Sequence, residues 1–291
     1  MAISAFLLAS FIPVLKATAE ITSKEKIDEM GLFTVSLFSR VTGVPILLVG
    51  LSVRGVPDVS AQFWMALSVT VPLGVLATLS YIKALEVSEL SFVSPLSSLS
   101  PILLILTGFI FLGEVPSLYG LFGMIFIVIG VYVLNVSKST ASNLLGPFMQ
   151  IKKNDAVKYI GAMVVIYSIT APIDKVGVEA SSPLLYTAGL YLGLSIGLFV
   201  PMVRYSDNWK HNCREHYKTL SVIGICNSLA SIAQMVAFTL TLVIYVISIK
   251  RMGIIFSVMY GTIIKNEGLT TARITGTMII IVGVTLISIT I

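Results

Sequence analysis

Charge is scarce in this sequence. Asp, Glu, Lys and Arg make up 11% of the residues, less than half the roughly 25% of an ordinary soluble domain, so there is too little polar surface to coat a body in water. Cysteine is scarce as well. Cys213 and Cys226 are the only two, one in a polar stretch and one inside an apolar run, which excludes a disulfide framework and points to reduced thiols. Histidine is limited to His211 and His216, grouped with Cys213 in "HNCREH". Three short-spaced ligands without a fourth do not make a zinc site, and no metal or cofactor is expected. No cluster of acids and bases of the kind a membrane enzyme needs is visible. Long polar stretches are lacking too, for the longest, 137–157 and 204–217, leave no room for a soluble domain.

What is present is hydrophobicity: 56% of the 291 residues are apolar and the mean hydropathy is +0.97. Apolar runs near 2–19, 31–51, 62–83, 91–112, 117–136, 158–176, 183–203, 218–238, 243–264 and 270–290 each approach the roughly 20 residues that span a bilayer as a helix. These runs predict an all-α, multi-pass membrane protein with ten transmembrane helices. The N-terminal "MAISAFLLASFIPVLKATAE" ends like a cleavable signal peptide at Ala17-Thr18-Ala19, but it has no positive leading region and Lys16 would sit just before the cut. It reads as a retained first helix.

The chain also repeats itself. Displaced by 153 residues, "GEVPSLYGLFGMIFIVIGVYVL" lies over "NEGLTTARITGTMIIIVGVTLI", with Glu114 on Glu267, Gly123 on Gly276 and Gly130 on Gly283; further upstream Gly108 meets Gly261 and Ala84 meets Ala237. Residues 1–137 and 158–291 are thus two five-helix copies joined by a connecting loop at 138–157. Five is odd, so the copies are expected to be inverted in the membrane, a design common among alternating-access carriers. Lys and Arg number thirteen in loops after odd-numbered helices and two, Arg54 and Lys175, after even-numbered ones, which by the positive-inside rule puts both termini outside the cytoplasm. The net charge of +5 therefore reports topology, and no nucleic-acid partner is implied.

The stretch "YIKALEVSELSFVSPLSSLSPILLILTGFIFLGEVPSLYGLFGMIFIVIGVYVL" and its weaker echo "VIYVISIKRMGIIFSVMYGTIIKNEGLTTARITGTMIIIVGVTLI" resemble the EamA-like family of the drug/metabolite transporter superfamily. The likeness covers roughly the last two-fifths of each half. It implies a ten-helix secondary carrier with a central cavity, and leaves the substrate open because members of the family differ widely.

Four basic residues interrupt the apolar runs: Lys16, Arg40, Lys250 and Arg251. A charge at a helix centre costs about 2.5–3.5 kcal/mol, so such residues face a cavity or a partner. Arg40 stands about 14 Å from the nearer end of its run, beyond comfortable snorkelling. Lys250-Arg251 cannot mark a helix boundary, because 252–264 alone would span only about 20 Å; the pair is expected inside the ninth helix. Lys16 and Lys175 lie late in the first helix of each half, with Asp174 as a candidate partner of Lys175. Pro95 and Pro101 accompany Ser94, Ser97 and Ser98 in the fourth helix, where proline frees carbonyls and serines bind polar groups. The first helix offers Lys16 and no acid, so this set reads as basic throughout and as substrate-binding: Arg40, Lys250, Arg251, Ser94, Ser97, Ser98, Lys16 and Lys175. It favours an anionic or zwitterionic metabolite, such as an amino acid, organic acid or phosphorylated metabolite. A lipid-linked phosphate flippase and a non-transporting scaffold or sensor are the alternatives; the scaffold reading predicts that the basic residues are paired.

Glu114 and Glu267 each precede a helix, where a carboxylate suits the positive helix terminus, and read as turn and capping residues. Gly189, Gly193 and Gly197 form a close-packing helix face, expected within one chain. The remaining expectations are a small-molecule substrate, contact with membrane lipids, a monomer or homodimer, and residence in the plasma membrane.

Overall fold

The computed structural model describes residues 2–88, 93, 96–97, 99–135, 155–206, 208–264 and 270–290, and among these every regular element is helical. In chain order they are α1 (Ala2–Met30), α2 (Leu32–Val41), α3 (Val44–Arg54), α4 (Ala61–Val87), α5 (Ser100–Leu112), α6 (Leu118–Asn135), α7 (Ala156–Glu179), α8 (Pro183–Tyr205), α9 (Trp209–Glu215), α10 (Tyr217–Leu240), α11 (Val243–Lys250), α12 (Gly253–Ile263) and α13 (Thr271–Ser288). Seven stretches among the described residues are long and apolar enough to cross a membrane: Leu32–Arg54, Ala61–Val87, Ala156–Glu179, Pro183–Tyr205, Tyr217–Leu240, Val243–Ile263 and Thr271–Ser288. Ser100–Leu112 and Leu118–Leu134 are shorter apolar helices. Large apolar side chains such as Trp64, Phe109, Phe122, Phe199 and Met278 cover the outer surface, as a lipid solvent allows.

Three expected helices differ from their predicted form. The first continues past residue 19 to Met30, because "ITSKEKIDEM" is polar and breaks the hydropathy pattern without breaking the helix. The second is interrupted between Val41 and Val44. Pro45 near the start of α3 has no N–H to give, and the chain here presses against α10: a Cβ on Gly43 would lie 1.6 Å from Ser228 Oγ, and one on Gly224 would lie 1.8 Å from Thr42 Oγ1. The ninth is interrupted at Arg251-Met252, so the Lys250-Arg251 pair lies within the 243–263 span but at a break in it. In the fourth apolar run one helix spans Ser100–Leu112 with Pro101 in its first turn, and Val93, Leu96 and Ser97 before it are also helical; Ser94, Pro95 and Ser98 lie outside the described residues, as do Glu267 and most of the 138–157 connection.

The 153-residue displacement recurs in these boundaries. Added to 118 and 135, the ends of α6, it gives 271 and 288, the ends of α13; added to 87 it gives 240, where α10 stops; added to 100 it gives 253, where α12 starts. Packing follows the same exchange. The most extensive interfaces are α6 with α13, α4 with α7 and α1 with α10, and the last two are counterparts. In the first, a Cβ on Gly123 would lie 2.6 Å from the Gly283 carbonyl oxygen, and one on Gly276 would lie 2.8 Å from that of Gly130. The two helices therefore run antiparallel with their backbones in near contact, which only glycine permits at these positions.

Candidate functional site

A buried helix end exposes unpaired carbonyls and a partial negative charge, so a cation is stabilised there. Three of the four intramembrane cations stand at such an end. Arg40 lies in the last turn of α2, where its guanidinium donates to the Ser36 carbonyl. Lys250 is the last residue of α11, and Arg251 follows it as the C-cap. The helix breaks thus carry the charges.

The four cations converge. Lys16 lies within electrostatic range of Arg40, and Lys250 within range of both Lys16 and Arg251. Each is held by neutral acceptors. Lys16 Nζ donates to Asn227 Oδ1 at 2.6 Å, and Lys250 Nζ to Gln234 Oε1 at 2.9 Å. Arg40 donates to Thr78 Oγ1 at 3.2 Å, and Arg251 to Ser100 Oγ at 2.6 Å and the Ser97 carbonyl at 3.1 Å. Among the described residues no carboxylate lies within 4.0 Å of any of the four, and Arg251 Nε is buried without a partner. Tyr191 adds a hydroxyl beside them, donating to the Asn227 carbonyl at 2.9 Å and lying 2.8 Å from Ser231 Oγ.

The set is not basic throughout, as the sequence led us to expect. Because α1 continues, Glu20 lies one turn beyond Lys16 on the same helix face, within range of Lys16, Lys250 and Arg251. Asp174 is also buried and within range of Lys250.

Lys175 is not in this cluster, and Asp174 is not its partner. Neighbours on a helix diverge by about 100°. Asp174 Oδ1 accepts from the Tyr186 hydroxyl at 2.8 Å, while Lys175 Nζ donates to Glu114 Oε1 at 2.9 Å and to the Thr241 carbonyl at 3.2 Å. The other Glu114 oxygen accepts the Val243 N–H at 3.0 Å, so this carboxylate caps α11, on the far half of the chain, rather than the helix that follows it. Tyr245 completes the contact by accepting the Ser117 N–H at 2.9 Å. Beside this latch an open cavity of about 410 Å³ is lined by Lys175, Ser117, Thr241 and Tyr245.

The glycine face of α8 packs within the chain: Gly189, Gly193 and Gly197 receive Leu67, Val71 and Val75 of α4. In the polar loop, His211 lies 3.1 Å from Glu215 and His216 lies 3.5 Å from Glu29. Burial pushes the Cys213 thiol up to about 11, away from the thiolate a metal requires. Among the described residues no three His, Cys, Asp or Glu side chains are grouped to hold an ion.

Sequence reasoning missed Asn227, Gln234, Ser100, Tyr191 and Glu20. The first two had a signal, being polar amides seven residues apart in an apolar run and hence on one helix face.

Comparison with known proteins agrees with the helical architecture. The EamA-like transporter family matches residues 1–136. No curated protein matches the chain. A solved crystal structure, 13% identical, superposes with a TM-score of 0.82 over 99% of this chain and 97% of its own, a likeness of fold alone.

Proposed function

Residues 1–136 belong to the EamA-like transporter family, part of the drug/metabolite transporter superfamily, and from that premise we propose a secondary carrier of a small anionic or zwitterionic metabolite that works by alternating access. The chain is a multi-pass membrane transporter by family and by its apolar helices. The observation that carries the substrate class is the convergence of Lys16, Arg40, Lys250 and Arg251 on neutral acceptors. Structural ion pairs would have matched these cations with carboxylates, as Lys175 is matched with Glu114; held as they are, they leave positive potential for a solute carboxylate or phosphate. Glu20, within range of three of them, suits the ammonium of a zwitterion.

The moving parts in this reading are two inverted five-helix halves, 1–137 and 158–291. The coincident helix boundaries and the antiparallel α6/α13 contact support it. Rocking about the cluster would open one end while the Glu114–Lys175 latch, which joins the halves, closes the other. With both termini outside the cytoplasm, the latch lies at the outer face of a plasma membrane. The carrier needs no cofactor and acts as a monomer or homodimer.

Counterflow in proteoliposomes tests the proposal, using protein checked for its fold and a panel of amino acids, organic acids and phosphorylated metabolites. Exchange of at least one of these is expected. If none exchanges, the carrier of a small anionic metabolite is refuted.

A further inference from the structure

Asp174 senses the cation cluster only through the charge of Lys250 and, among the described residues, forms no ion pair with the cluster or the latch. It is 9% exposed, on α7, at a contact between the halves. The Tyr186 hydroxyl of α8 donates to its Oδ1 at 2.8 Å and lies 2.9 Å from Thr70 Oγ1 of α4. With Tyr186 donating to the carboxyl, Thr70 donates to Tyr186, so a chain of hydroxyls from the first half ends on this acid. The arrangement is built: the Tyr186 ring lies so close over Gly177 that a Cβ there would sit 2.1 Å from it, and Phe63 stacks edge-on at 6.2 Å. Around them stands the main apolar core.

The charged and titratable groups facing Asp174 are few. Tyr186 comes from α8 and the Lys250 ammonium acts from α11. Facing it, α4 presents Thr70; α5 has no titratable side chain between Ser100 and Leu112, and α10 carries only Cys226 between its N-terminal Tyr217-Lys218 and Leu240. On α7 itself Lys175 is engaged by Glu114. No cation among the described residues lies within 4.0 Å of the carboxyl. An enclosed carboxylate without a contacting cation carries a desolvation cost of several kcal/mol, which a bound proton removes.

We propose that Asp174 is a proton-binding site through which solute movement is coupled to protons. The coupling rests on the carrier reading above. A proton on Asp174 removes one negative charge within range of Lys250, so the cluster attracts an anion more strongly; by linkage a bound anion favours the proton. Proton and anion therefore travel together, as symport.

The test has two arms. In infrared spectra of wild-type protein with carbon-13 in its aspartate carboxyls, a labelled acid carbonyl band should be present at neutral pH and disappear as the medium is made alkaline. It should be lost in Asp174→Asn and shift to higher frequency in Tyr186→Phe, which removes the donated hydrogen bond. Asp58 and Asp155 are exposed and give no such band. Absence of a titrating labelled band in wild-type protein overturns the proposal whether or not the protein transports. In the second arm, the solute with the strongest counterflow is offered under an inward proton gradient. Asp174→Asn should keep counterflow and lose accumulation above equilibrium; accumulation equal to wild type overturns the coupling. Failure of counterflow in every protein would refute the carrier reading instead, and the infrared arm alone then decides the proton site.

Discussion

At the scale of single residues, the informative contrast is between cations with carboxylate partners and cations without. Lys175 has one in Glu114; Arg40 has only Thr78 and a backbone carbonyl, and the proposed carrier gives it a role in binding. Arg40→Gln keeps an N–H donor on a shorter side chain and removes the charge. It should lower counterflow at least tenfold, the loss of one charge-assisted hydrogen bond worth roughly 1.5–3 kcal/mol, while leaving membrane insertion and the melting temperature near wild type. Undiminished exchange by this variant would remove Arg40 from the site. The intramembrane positions of Arg40, Lys250 and Arg251 were legible in the sequence because an isolated charge in an apolar run is costly enough to need a reason. Asn227 and Gln234 left only the weaker signal of their shared helix face, since a neutral amide costs far less in a helix than a charge does. Lys175 was misplaced because adjacency along a helix, as with Asp174, is not adjacency in space.

At the scale of elements, hydropathy locates spans and says little about where helices continue or break. It ended the first helix at residue 19, while the polar residues that follow keep the helix and bring Glu20 into the site. The interruptions at 42–43 and 251–252 were written as Gly43 with Pro45 and as Gly253 after two charges, weak signals that become decisive when a neighbouring backbone approaches closely. The close approach of α6 and α13 gives a prediction of its own. A Cβ at Gly130 would lie 2.8 Å from the Gly276 carbonyl oxygen and 2.6 Å from Ile280 Cγ1, so Gly130→Ala must push the helices apart. It should destabilise the protein by about 1–3 kcal/mol, read as a lowered melting temperature in detergent, and Gly276→Ala should do the same. Gly161→Ala, inside α7 with nothing within 4 Å of the added Cβ, serves as the control and should melt no lower than wild type, since alanine is the better helix former. Equal melting of all three would contradict the packing described for this pair.

At the scale of the whole molecule, distant parts of the chain meet at the cation cluster, where Lys16 reaches Asn227 and Arg251 reaches Ser100, and at the Glu114–Lys175 latch. Glu114→Gln keeps an acceptor for Val243 and leaves Lys175 without its carboxylate. Because the side chains of Glu114 and Lys175 are only 7% and 15% exposed, the loss should cost about 3–5 kcal/mol of stability and should make a cysteine placed at Thr241 react faster with a water-soluble maleimide. Unchanged reactivity would separate this pair from closure of the molecule. The matching helix boundaries of α6 and α13 were legible from the 153-residue displacement, whereas the latch was not, since it joins Glu114 to an α11 terminus 129 residues away. The central claim, that unmatched positive charge selects the solute, is tested most directly by counterflow with a charge series built on one solute skeleton: an amino acid, the same skeleton without its amine, and the same skeleton without its carboxylate. The account predicts exchange of the forms that keep the carboxylate, lost when Arg251 is replaced by alanine, and no exchange of the amine alone; exchange of the amine but not of the acids would contradict it.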